Sequence, residues 1–160
     1  MVQSILVALA FALAASSTTT PSPGPNEICP LSPSGWSVKQ TRGPDFDVCY
    51  YTCPEKKGFF GIYLGFAPQF QKQAGAGGIP GSVGGIAVQW LAKKPETGVL
   101  PFAQETILSP FAGDENAERF KAHAWVYAES EADLGEMRDA IAQVRWRPHG
   151  KWHPNLPYQR

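Results

Sequence analysis

Three cysteines and three histidines carry the most distinctive chemistry in this 160-residue chain. Two of the cysteines fall in Cys49-Tyr50-Tyr51-Thr52-Cys53-Pro54, and His123 stands apart within Lys121-Ala122-His123-Ala124-Trp125-Val126-Tyr127. Thiolates with an imidazole are donors that suit copper, so Cys49, Cys53 and His123 define one candidate chemistry, metal binding or thiol exchange. His149 and His153 are also four apart, but Pro148, Gly150 and Pro154 oppose the helix that would put both on one face. No metal is expected there, and solvated tail histidines are the simpler reading.

The same sulfurs have a structural use. Three cysteines leave one unpaired. In an extended strand the Cα atoms of Cys49 and Cys53 lie roughly 13 Å apart, beyond the roughly 7 Å that a disulfide spans. If a hairpin turns near Gly43 and Pro44, Cys53 comes to lie near residue 34, on the side from which Cys29 arrives. The expected bond is Cys29–Cys53, stabilising by roughly 3 kcal/mol in the chain-entropy model. Cys49 is then a spare, partly buried thiol.

Such a bond persists in an oxidising compartment, and the start of the chain points to one. Residues 5–15, ILVALAFALAA, form an apolar run too short for the roughly 20 residues of a membrane span. Its length suits the apolar core of a secretory signal, and Ala12-Leu13-Ala14 is a small-x-small cleavage pattern. Residues 1–15 are therefore expected to be a signal peptide, the mature chain to carry no transmembrane span, and its destination to be periplasmic or extracellular. Residues 16–34 read as a Ser/Thr/Pro-rich linker, 35–147 as one α+β domain, and 148–160 as a basic, aromatic, extended tail.

Lys plus Arg equals Asp plus Glu at 14 each, so no overall field draws nucleic acid or an anionic membrane. Nucleic acid is not expected as a partner. Ser82 in Gly81-Ser82-Val83-Gly84 has Pro80 where a nucleophile elbow needs glycine, and no Walker-type phosphate loop is present. No catalytic residue and no cofactor are indicated.

The elements that position these groups are legible from periodicity. Residues 59–70, FFGIYLGFAPQF, read as a buried strand ending at Pro68, with Phe60, Ile62, Leu64 and Phe66 on one face and Phe59, Gly61, Tyr63 and Gly65 on the other. A strand apolar on both faces belongs inside a sheet, and its glycines leave room for a backbone, a bulky side chain or a bulge. Residues 36–41 and 45–52 form a hairpin before it. Residues 71–85, QKQAGAGGIPGSVGG, read as a flexible loop, followed by strands over 83–92 and 100–108, the latter at an edge or starting just after Pro101. Residues 111–119 read as polar and acidic, with one helical turn at most. Residues 121–128 alternate sharply between small residues and His123, Trp125 and Tyr127. Ser130 is the expected N-cap, with Asp133 at the capping-box position, of a helix carrying Leu134, Met137, Ile141 and Val144. The fold class is α+β: an antiparallel sheet of five or six strands with a C-terminal helix packed on one face.

His123, Trp125 and Tyr127 form a row with polar tips, a composition suited to a peptide, glycan or lipid headgroup. They are the candidate ligand-binding residues. The competing reading is that a second layer covers them as core.

Two resemblances bear on these residues. The Cys49-x-x-x-Cys53-Pro54 spacing resembles copper-delivery proteins of the Sco type, which implies two thiolates and a distant His, here His123, as metal ligands. Gly61-Ile62-Tyr63-Leu64-Gly65-x-x-Pro68-x-Phe70, His123-x-Trp125-Val126 and Arg145-Trp146 together resemble small exported bacterial proteins that have no assigned function. That second resemblance covers roughly residues 36–147 and implies a fold and an export route, without a reaction. The order of strands ending in a helix is also similar in layout to PsbP-type α/β/α sandwiches. The expected function is a non-catalytic envelope protein that binds a protein, glycan or small molecule through the uncovered part of its sheet. The alternative is a periplasmic copper-binding or thiol-redox accessory using Cys49, Cys53 and His123, and a hydrolase is a third class.

Overall fold

The computed structural model describes residues 28–70, 77–111 and 119–147. The expected signal peptide, most of the linker, residues 71–76 at the start of the glycine loop, residues 112–118 and the tail from 148 lie outside the described residues. In chain order the strands are β1 (Ser37–Arg42), β2 (Phe46–Thr52), β3 (Gly58–Gly65), β4 (Ile79–Val83), β5 (Ile86–Ala92), β6 (Phe102–Leu108) and β7 (Lys121–Ala128), followed by helix α1 (Glu131–Ala142). They form one seven-stranded antiparallel sheet in the order β1-β2-β3-β7-β6-β5-β4.

The side-chain period of two divides this sheet into a covered and an open face. On β3 Phe60, Ile62 and Leu64 are buried toward the helix, and their partners Val126, Ala124 and Ala122 on β7 face the same way. Ala122, Ala124 and Ala128 have no side chain beyond Cβ, so α1 settles close to the sheet with Leu134, Met137 and Ile141 filling the space between. Burying each such large side chain contributes roughly 1.5–3 kcal/mol. The helix starts where the capping signal places it: the Ser130 hydroxyl accepts from the Asp133 backbone N–H at 3.2 Å. Strand β6 starts one residue after Pro101 and lies inside the sheet, where its ladder needs no donor from proline.

Three expectations are corrected. The sheet has seven strands, because residues 79–83, read as part of a loop, form β4. Gly84 and Gly85 sit at φ +55° and +81° and make a two-residue turn that pairs Val83 with Ile86. Positive φ at both positions is the geometry of a type I′ hairpin, which glycine adopts without strain.

The disulfide joins Cys29 to Cys49, with Cα atoms 5.7 Å apart, and Cys53 is the free thiol. The chain before β1 does not continue beside β2 toward Cys53. It crosses the helix-side face instead: the Pro30 carbonyl accepts from the Tyr51 hydroxyl at 2.7 Å, and Leu31 pairs with Arg145. This path delivers Cys29 to the middle of β2, where alternation turns Cys49 inward, fully buried. Cys53 lies beyond the last paired residue, Thr52.

The described part of the 16–34 segment is consequently no linker. Cys29 and Pro30 are buried, and Arg147 Nε donates to the Cys29 carbonyl at 2.8 Å. No helix among the described residues is long and apolar enough to cross a membrane.

Candidate functional site

Cross-strand register places His123, Trp125 and Tyr127 on the face away from α1, opposite Tyr63, Gly61 and Phe59 respectively. Their exposure differs sharply. His123 and Tyr127 are only 6% and 4% exposed, whereas Trp125 stays partly open to solvent.

Trp125 is positioned by a missing side chain. A Cβ on Gly61 would collide with Cζ2 and Cε2 of the indole, so the ring lies over the glycine backbone. Tyr50, exposed on β2, meets the indole nearly edge-on with ring centroids 6.0 Å apart. The His123 ring flanks it at 5.4 Å. Trp125 and Tyr50 thus form a fixed aromatic surface, and offset or edge-to-face contacts of this kind stabilise beyond the area they bury.

Beside it lies a buried polar cluster. His123 Nε2 and Glu105 Oε2 are 3.0 Å apart, and Lys93 Nζ is 3.4 Å from the same oxygen. A carboxylate accepts only, so in neutral His123 the ring proton sits on Nε2 and donates to Glu105. Burial pushes the His123 pKa below its ordinary value, and the hydrogen bond to Glu105 opposes that shift without reversing it. Phe70 packs its ring against His123 at 5.6 Å.

Tyr127 is stacked on Phe59 at 5.2 Å, and its hydroxyl reaches Glu96 Oε1 at 3.5 Å. Burial, aided by the charges of Glu96 and Glu105, pushes its phenol up to about 12. Neither His123 nor Tyr127 presents much surface. Both support the open ring between them.

The copper set is not assembled. Cys49 is oxidised and faces the helix side, His123 faces the other way, and Cys53 lies past the end of β2. No group of three or more His, Cys, Asp or Glu side chains among the described residues could hold a metal ion.

Sequence reasoning named Trp125 but missed Tyr50, Glu105 and Lys93 as its neighbours. No local signal marked Glu105: it is the middle of three adjacent polar residues, Gln104, Glu105 and Thr106, in Phe102–Leu108, and their burial is set by the position of β6 inside the sheet. Comparison with family models, curated proteins and solved structures finds no match for this chain.

Proposed function

We propose that this chain is an exported, non-catalytic binding domain of the cell envelope that contacts its partner through the sheet face opposite the helix. The observation that carries this reading is the exposed Tyr50 ring set against the partly exposed Trp125 indole, which Gly61 holds over the sheet. Exposed aromatic surface gathered at one place, rimmed by polar groups, is characteristic of interaction sites. His123 and Tyr127 belong to the same surface as its buried support.

Periplasmic or extracellular residence is supported by the Cys29–Cys49 bond, which oxidising compartments maintain. It agrees with the apolar run and the Ala12-Leu13-Ala14 pattern at the start of the chain.

The test is site-specific crosslinking in the exporting cell. A photo-reactive phenylalanine analogue at Tyr50 is expected to give an adduct with an envelope component, and the same group at exposed Gln143, just past the end of α1, is expected to give none. Equal yields from the two positions, or none from Tyr50, would overturn the assignment of this face. Intact mass of the purified protein checks export: loss of about 14 residues is expected from the cleavage pattern, and an uncleaved chain with three free thiols contradicts it.

A further inference from the structure

The loop that joins β5 to β6, residues 93–101, is tied to the sheet by a chain of polar side chains. His123 Nε2 and Lys93 Nζ lie 3.0 Å and 3.4 Å from the same atom, Glu105 Oε2. Lys93 Nζ is also 3.8 Å from Glu96 Oε1, and the Tyr127 hydroxyl donates to that oxygen at 3.5 Å. Lys93 and Glu96 belong to the loop, whereas Glu105 belongs to β6 and His123 and Tyr127 to β7. The loop backbone joins the sheet at Lys93, whose N–H donates to the Ala103 carbonyl at 3.0 Å, and beyond it Lys94 and residues 96–99 are exposed. A segment with so little buried surface is held by the few contacts it makes.

From this arrangement we propose that the loop is an acid-released latch: a proton taken up by His123 frees Lys93 from Glu105, and residues 94–99 leave the sheet. Such a latch works whatever the open face binds.

With His123 neutral the cluster is balanced. The imidazole donates from Nε2, and Glu105 and Lys93 form one ion pair against it. A proton added at Nδ1 makes His123 a second cation on the oxygen that Lys93 already contacts. The site then holds two positive charges against one negative, and because His123 and Glu105 are buried, water screens the repulsion poorly.

The repulsion is relieved by the member that can move. The His123 ring is flanked by Phe70 at 5.6 Å and Trp125 at 5.4 Å, and its backbone is paired on both sides within β7. Lys93 stands one residue past β5 with its side chain partly exposed, so its flexible stem carries the ammonium into water. Glu96 is exposed and follows it.

The other groups around His123 do not compensate the added charge. Tyr63, its partner on β3, keeps its phenol neutral because burial pushes its pKa up. Ile107 faces it from β6, and Lys121, two residues earlier on β7, is itself a cation and donates to the Ser109 hydroxyl at 2.7 Å. Burial holds the imidazole neutral against the pull of Glu105, so release begins below the ordinary histidine value of about 6.5.

The experiment is nuclear magnetic resonance on the full exported chain between pH 7.5 and pH 5, following the His123 ring and the backbone amides of residues 94 and 96–99 in the same samples. The amide order parameters are expected near about 0.85 at pH 7.5 and below about 0.6 at pH 5. Their midpoint should equal that of the His123 ring, which its own signals separate from His149 and His153. In His123→Gln the amides should keep their neutral-pH order at pH 5, and in Lys93→Met they should be mobile at both. Lys93 is partly exposed, so its variant keeps the test open should His123→Gln fold poorly. Order that does not change across the range in the native chain overturns the latch. So does a change whose midpoint differs from that of His123, a loss that persists in His123→Gln, or a loop that stays ordered in Lys93→Met.

Discussion

The indole of Trp125 occupies the volume that a side chain on Gly61 would need. The two residues are direct cross-strand partners, and a Cβ on Gly61 would also stand 2.7 Å from the indole Nε1. Gly61 lies outside the positive-φ region, so alanine meets no backbone strain there. On backbone grounds alone Gly61→Ala would stabilise by about 0.4–1 kcal/mol through the unfolded chain. Steric conflict with the ring reverses the sign, and a net loss of about 1–3 kcal/mol is expected. Urea unfolding of Gly61→Ala in the native and the Trp125→Ala backgrounds checks it. A loss that persists at full size without the indole would show that the ring is not the obstacle.

The Cys29–Cys49 bond closes a separation of 20 residues and ties the N-terminal segment to the centre of β2. In the chain-entropy model its removal costs about 3 kcal/mol. Cys29→Ser is expected to lower stability by that order, whereas Cys53→Ser should change it by less than about 0.5 kcal/mol, as surface changes do. Alkylation of the unreduced native protein should label one thiol, and Cys53→Ser should leave none. A large loss of stability in Cys53→Ser would point back to a Cys29–Cys53 bond.

Where local pattern alone decides structure, the sequence was legible. Lys121-Ala122-His123-Ala124 begins β7 as its alternation requires, and Ser130 caps the helix as its side chain and Asp133 foretell. The two faces of β3 were also readable, whereas its glycines left a backbone, a bulky side chain or a bulge open, and only the structure shows that the Trp125 indole fills the space at Gly61. The seventh strand was missed because five glycines between Gly75 and Gly84 drew attention to flexibility. The Gly84-Gly85 pair flanked by Val83 and Ile86 was a hairpin signal in plain view. The disulfide was misassigned for a different reason: the path of residues 28–31 across the helix-side face is a tertiary choice, set by Tyr51 and Arg145 far along the chain. At the site, the row of His123, Trp125 and Tyr127 could be read from alternation. Which member stays exposed depends on Phe70, Phe59 and Glu105, whose approach no local pattern records.

Tyr51 is the polar pin of the same N-terminal segment. Its ring is fully buried and stacked on Phe60 at 4.6 Å, burial pushes its phenol well above the usual range, and its hydroxyl is donated to the Pro30 carbonyl. Tyr51→Phe keeps the packing and leaves a buried carbonyl without its donor, which costs about 1–3 kcal/mol. The variant should also expose residues 28–31 to proteolysis at lower urea than the native chain. Unchanged protection would mean that the disulfide and the Leu31–Arg145 pairing hold the segment without Tyr51.

His123 gives the fold a dependence on pH whose sign follows from its surroundings. It faces Glu105 and Lys93 from neighbouring strands, with Tyr63, Phe70 and Trp125 around it. Burial lowers its folded-state pKa more than Glu105 restores it. The unfolded chain therefore takes up this proton first, near the ordinary histidine value of about 6.5, and binds more protons than the folded chain from there down to the folded value. Stability contributed by neutral His123 is present above about pH 6.5 and falls as pH drops through that window, at about 1.4 kcal/mol for each unit by which the folded pKa is depressed. The urea midpoint of the native chain is expected to fall between pH 7.5 and pH 5, and that of His123→Gln to fall less. Other histidines and carboxylates titrate in both proteins, so the difference between the two slopes isolates His123. A steeper fall in His123→Gln would mean that the Glu105 pairing outweighs burial, and that the imidazolium is the form the open face prefers.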